Sequence, residues 1–191
     1  MELTMAAFRM VLTLTAALIA SPSYVVAQSS GSSAQFPKGA TGTIDFGCRQ
    51  GECNQLRITK RALMRSAGNA EIYELDIVRA RFESGDRVAR QKAQRGEGTR
   101  GKMHVICSYR TPAVIFRDDD DPEFIRHSLS PGDDDGKAGY NLGSYKIYYA
   151  TCHGLMHDDM PLQQARRLGY PAKGSAGQSE HKTLEDALKG G

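Results

Sequence analysis

Glu71-Ile72-Tyr73-Glu74-Leu75-Asp76-Ile77-Val78-Arg79-Ala80-Arg81-Phe82 is the stretch on which the fold turns. Tyr73, Leu75 and Ile77 alternate with Glu74 and Asp76, the period-two pattern of a strand with one apolar face. After Ile77 the apolar set moves to Val78, Ala80 and Phe82. An extra residue turns all following side chains to the other face, so the phase change predicts a bulge at Ile77-Val78.

Neighbouring stretches supply partners. Lys102 to Cys107 alternates Met103, Val105 and Cys107 with Lys102, His104 and Ile106. Ala113 to Phe116 is a continuous apolar run suited to a buried strand, with Pro112 before it. Phe124 to Leu129 adds another strand. Thr43 to Phe46 and Gln55 to Ala62 read as a short pair ahead of these. Asn141 to His153 carries two signals. Leu142, Tyr145, Tyr149 and Cys152 follow helical spacing up to Gly154, a helix terminator, while Tyr145 to Tyr149 is also good strand material. The helix is the reading taken. Leu162 to Leu168 reads as a helical turn, Ala172 to Ser179 as a linker, and Thr183 to Lys189 as a short helix begun by Thr183. The fold class expected is α+β, a small antiparallel β-sheet with one or two short helices, stabilised by disulfides.

The amino terminus supplies an address. Arg9, an apolar run from Met10 to Ala20, and the small-residue pattern Val25-Val26-Ala27 form the three parts of a secretory signal peptide. The run is about a dozen residues, short of the roughly 20 that span a bilayer, so no membrane span is expected after processing. The expected organisation is a signal peptide over 1–27, a flexible leader over 28–40, a single globular domain over 41–170, and a flexible tail with a short helix over 171–191. A periplasmic or secreted location follows. The absence of any Asn-x-Ser/Thr acceptor beyond residue 27 favours a bacterial periplasm.

Four cysteines in an exported chain read first as disulfides. Cys48 and Cys53 flank Arg49-Gln50-Gly51-Glu52, in which Gly51 permits a tight reversal. A local bridge there leaves Cys107 to pair with Cys152.

Charge is segregated. Eight basic residues lie between Arg79 and Lys102, against Glu83, Asp86 and Glu97. The connection over 83–101 is long for a structureless one, and such loops are functional or disordered. Arg87, Arg90, Lys92 and Arg95 are the residues expected to meet an anionic envelope component. The net charge of +3 gives no reason to expect nucleic acid. Two acidic runs, Asp118 to Asp121 and Asp133 to Asp135, suggest calcium. The calcium-loop spacing fails, since Pro131 and Leu142 stand where the first and last carboxylates belong.

Cys152-His153-Gly154-Leu155-Met156-His157 is the densest group of ligand-type side chains. On a continuous helix His153 and His157 would share a face suited to zinc or copper. Gly154 interrupts that helix and Cys152 is committed to a disulfide, so no cofactor is expected and the metal reading stays an alternative. No nucleophile elbow, zinc-protease helix or phosphate loop occurs. The function expected is therefore binding or structural, in the cell envelope. The alternatives are an inhibitor or accessory partner of another exported protein, and a metal protein or enzyme using His153 and His157.

Overall fold

Seven strands, each hydrogen-bonded to the next in the chain, form one antiparallel sheet in the order β1 to β7. They are β1 (Gly42–Arg49), β2 (Glu52–Ala67), β3 (Ala70–Glu83), β4 (Thr99–Ser108), β5 (Ala113–Arg117), β6 (Phe124–Ser128) and β7 (Gly177–His181). Four helices interrupt this meander: α1 (Arg87–Gln94), α2 (Leu142–His153), α3 (Leu162–Arg167) and α4 (Leu184–Lys189). This computed structural model describes residues 36, 39–118, 121–137, 140–156 and 159–190, and all counts refer to those. The expected signal peptide lies outside them. The antiparallel α+β reading holds at that level, but the molecule carries more sheet, and more helices, than a small sheet with one or two.

The two cysteine pairs are those expected from the sequence. Cys48 and Cys53 stand opposite each other in the β1–β2 register and are bridged. Gln50 and Gly51 between them have φ of 53° and 85°. Positive φ at both central residues is the two-residue hairpin turn that matches strand twist. Cys107 of β4 is bridged to Cys152 of α2, with Cα atoms 5.5 Å apart, which fastens the helix to the sheet.

α2 lies across one sheet face. Tyr73, Leu75 and Ile77 of β3, Met103 and Val105 of β4, and Ile44, Leu56, Ile58 and Val114 meet Tyr145, Tyr148 and Tyr149 of the helix in the main core. Eight of the twelve residues of α2 are buried, so it lacks an amphipathic face. A helix apolar all round is one enclosed on several sides. Gly154 ends it at φ 70°, its amide donating to Ala150 O.

The opposite face is covered in two separate patches. Ala187 of α4 sits over Ile72, Ile106, Ala113 and Ile115. Ala93 of α1 sits over Cys53 and Phe82. This explains the phase change in β3 and corrects its reading. The β3–β4 register runs unbroken from Ala70↔Ser108 to Arg79↔Thr99, with no bulge at Ile77-Val78. Instead α2 covers the odd-numbered side chains up to Ile77, and α1 covers Phe82 on the even-numbered side. The irregularities fall in β2, between Ile58 and Lys60 and between Leu63 and Arg65.

Both ends of the expected domain are tied to it. Phe36, Gly39 and Ala40, assigned from the sequence to a flexible leader, contact α2 and its surroundings. Phe36 is buried and stacks on Tyr109, and Ala40 N donates to Ala150 O. A side chain at Gly39 would collide with Thr151 O. The segment 171–191, expected as a tail with a helix, also holds β7, paired with β6 from Phe124↔His181 to Ser128↔Gly177. Thr183 caps α4 as expected, its hydroxyl accepting from Asp186 N.

Candidate anion-binding face

The basic connection is ordered into α1. Gly85 turns the chain at φ 99°, and Asp86 Oδ1 accepts the Ala89 amide at 2.9 Å, a side-chain cap that starts the helix. Arg95 closes it. Of the four residues expected to bind anions, Arg87, Arg90 and Lys92 lie exposed on the helix, and Arg90 points toward Asp45 at 3.9 Å. Arg95, of the four, lines a groove.

That groove, of about 460 Å³, runs between the end of α1 and the sheet and is lined by Thr41, Arg57, Thr59, Arg95, Gly96 and Arg100. Its floor follows from strand register. Arg57 pairs with Val78, and Val78 pairs with Arg100, so the three stand in one row across β2, β3 and β4 on the same face. Arg57 Nη1 donates to Gln94 O at 3.0 Å, tying the helix end to the floor. A side chain at Gly96 would come within 3.3 Å of Arg57. Arg95 pairs with Glu97 at 3.0 Å, whereas Arg57 and Arg100 have no carboxylate partner among the described residues. The next row along the same face, Lys60, Asp76 and Lys102, is mixed in charge, and Lys102 is held by Glu74 at 2.7 Å. Arg57 was legible in the sequence: it lies between Leu56 and Ile58, both core residues, and must project from the other face.

A second cleft of about 1100 Å³ opens on the α2 side, lined among others by Phe46, Arg79, Arg81, Phe116, Asp118 and Tyr140. Both of its arginines are engaged, Arg79 with Asp118 at 3.9 Å and Arg81 with Glu52 at 3.2 Å. Behind its wall lies an arrangement that no local motif announced. His127 Nδ1 is 2.7 Å from Ser144 Oγ, and its Nε2 is 3.1 Å from Gln178 Oε1. With Oε1 accepting, Nε2 carries the hydrogen and Nδ1 takes the serine proton, the polarity of a nucleophile and its base. Yet His127 and Ser144 are each 5% exposed, and the imidazole is walled edge-on by Phe116 and Tyr140. Burial holds the His127 pKa below its usual value, against the opposing pull of Gln178 and Asp118. The bond docks the first turn of α2 on β6.

His153 is likewise engaged. Tyr148 OH donates to Ser108 O at 3.0 Å, so Tyr170 OH, 2.6 Å away, must donate to Tyr148. Tyr170 must then accept from His153 Nε2, also at 2.6 Å. The chain of hydrogen bonds runs one way, from imidazole through two phenols to a backbone carbonyl. Desolvation pushes the His153 pKa down to about 4 and raises both phenols. Cys152 is a disulfide sulfur, Met160 is buried in the core, and Met156 packs against it; His157 lies outside the described residues. No group of three or more His, Cys, Asp or Glu placed to hold a metal occurs among the described residues. In the acidic runs, Asp121 Oδ1 accepts the Glu123 amide and Asp133 Oδ1 the Asp135 amide as local turn caps, while Asp133 Oδ2 accepts the amide of distant Gly174.

Comparison with family models, with curated proteins and with solved structures finds no match. Two disulfides, and the absence among the described residues of a helix long and apolar enough to cross a membrane, are compatible with an extracellular or periplasmic protein.

Proposed function

We propose that this is an exported binding protein that holds an anionic envelope component on the α1 side of its sheet, through Arg57, Arg95 and Arg100. The observation that carries the reading is the cross-strand row Arg57–Val78–Arg100 beneath Arg95, in a groove whose only adjacent carboxylate partner is Glu97 among the described residues. Guanidinium groups suit this task because their planar forks meet carboxylate, sulfate or phosphate oxygens in pairs. A groove open along the sheet suits a chain-like polyanion, such as an acidic polysaccharide.

The test holds net charge constant. Arg57→Ser, Arg95→Ser and Arg100→Ser together remove three charges, as do Arg87→Ser, Arg90→Ser and Lys92→Ser. On a dextran sulfate column the first set should elute at clearly lower salt than the second. Equal elution of the two sets would mean that only overall charge matters, and would remove the groove from the account.

A further inference from the structure

We infer that a small hollow at the other end of the sheet, between the β4–β5 turn and the end of β6, binds a single tetrahedral oxyanion, a phosphate or sulfate group. The hollow has a volume of about 90 Å³ and is lined by Arg110, Thr111, Arg126, Ser128, Ser130 and Gly174, among others. By that measure one water needs only about 10 to 15 Å³, so the hollow has room for a five-atom oxyanion.

Two buried groups there lack what burial demands. Arg126 is 2% exposed, yet its guanidinium has only neutral acceptors: Nη1 donates to Ala187 O at 2.6 Å and Nε to Ser128 Oγ at 3.3 Å. No carboxylate pairs with it among the described residues. An arginine stays charged in any protein setting, and a buried charge is ordinarily paired. Ser130 is 3% exposed, and its hydroxyl has no hydrogen-bond partner among the described residues. An anion in the hollow would supply the missing counter-charge to Arg126 and an acceptor to Ser130. Exposed Arg110 at the rim adds a second cation.

A side chain at Gly174 would collide with Ser130 Oγ, so only glycine fits at that point of the wall. Asp133, the carboxylate nearest in sequence, accepts the Gly174 amide with Oδ2 and is not among the lining residues.

The site is separate from the α1 groove, and the experiment keeps the two apart. The disulfide-intact chain is titrated calorimetrically with inorganic phosphate, sulfate and glycerol phosphate, against sodium chloride of equal ionic strength. Saturable binding of one anion per chain is expected, weakened at least tenfold in Arg126→Gln and severalfold in Ser130→Ala, and unchanged in Arg57→Ser/Arg100→Ser. Tighter binding of inorganic phosphate identifies a free ion as the occupant; tighter binding of the ester identifies a phosphorylated molecule. Ser130→Ala loses one oxygen in a position that makes no bond, so it should fold even where Arg126→Gln does not. No saturable binding by the wild type, or equal binding by the wild type and Ser130→Ala, would overturn the inference.

Discussion

Acidification should destabilise this protein chiefly through His153, and the effect can be sized. Packed against Phe36, Tyr148 and Tyr170, the partly buried imidazole is pushed down to about 4 in the folded chain, against about 6.5 when unfolded. As pH falls below 6.5 the unfolded chain takes up a proton that the folded chain refuses. The contribution is therefore fully present above pH 6.5, is lost between 6.5 and 4, and changes no further below 4. A gap of about 2.5 units at 1.36 kcal/mol each is at most about 3 kcal/mol, since the ring is only partly buried. His153→Gln keeps a donor for Tyr170 and removes the titration. Urea unfolding at pH 7, 5.5 and 4 should show the wild type losing about 2 to 3 kcal/mol more than this variant over that range. His104 and His127, whose pKa values burial also lowers, remain in both proteins and cancel. Parallel curves for the two proteins would refute the placing of His153 in a desolvated, neutral relay.

The relay makes a second expectation. Tyr170→Phe leaves His153 Nε2–H without its acceptor and the Tyr148 oxygen without its donor, though Tyr148 still bonds Ser108 O, and should cost about 1 to 3 kcal/mol in urea titrations. The two bridges should differ in weight. Cys107 and Cys152 are 45 residues apart and Cys48 and Cys53 only 5, so on the chain-entropy account the first contributes about 2 kcal/mol more. Paired Cys→Ser variants, checked for the remaining bridge by intact mass before and after reduction, should melt in that order.

How far the sequence revealed this molecule depended on whether burial left a mark at each position. β4 and β5 were legible because their side chains alternate against, or lie wholly within, the core. β2 was read only over Gln55 to Ala62, whereas it runs on to Ala67. Its last residues, Arg65 to Ala67, are exposed, so no alternation marks a strand that β3 holds by backbone pairing alone. Gly177 to Ser179, the first part of β7, reads as linker for the same reason: β7 is a polar strand at the sheet edge, where an apolar one would invite pairing with other chains. The doubt between helix and strand for α2 came from burial on several sides, which erases the amphipathic period. The cysteine pairing was recoverable because one pair is local and fixes the other. His127 and Gln178, or Arg57 and Arg100, meet only through sheet register, and Ser144 meets His127 only where α2 docks on β6, neither of which spacing along the chain encodes.

The sheet also separates stability from binding. On the α2 side, aromatic rings, a disulfide and a relay with few spare hydrogen bonds leave little that can change without loss of packing. On the α1 side the groove arginines are partly or fully exposed and lie over a face that the main core does not use. Surface charges of that kind contribute little to folding, typically within about half a kcal/mol each. Arg57 is the exception to watch, because its bond to Gln94 O also anchors α1. Serine at Arg95 and Arg100 should therefore leave the melting temperature nearly unchanged. Serine at Arg57 should loosen α1 as well as weaken anion binding, and hydrogen exchange at the amides of Arg90 to Gln94 would separate those two effects.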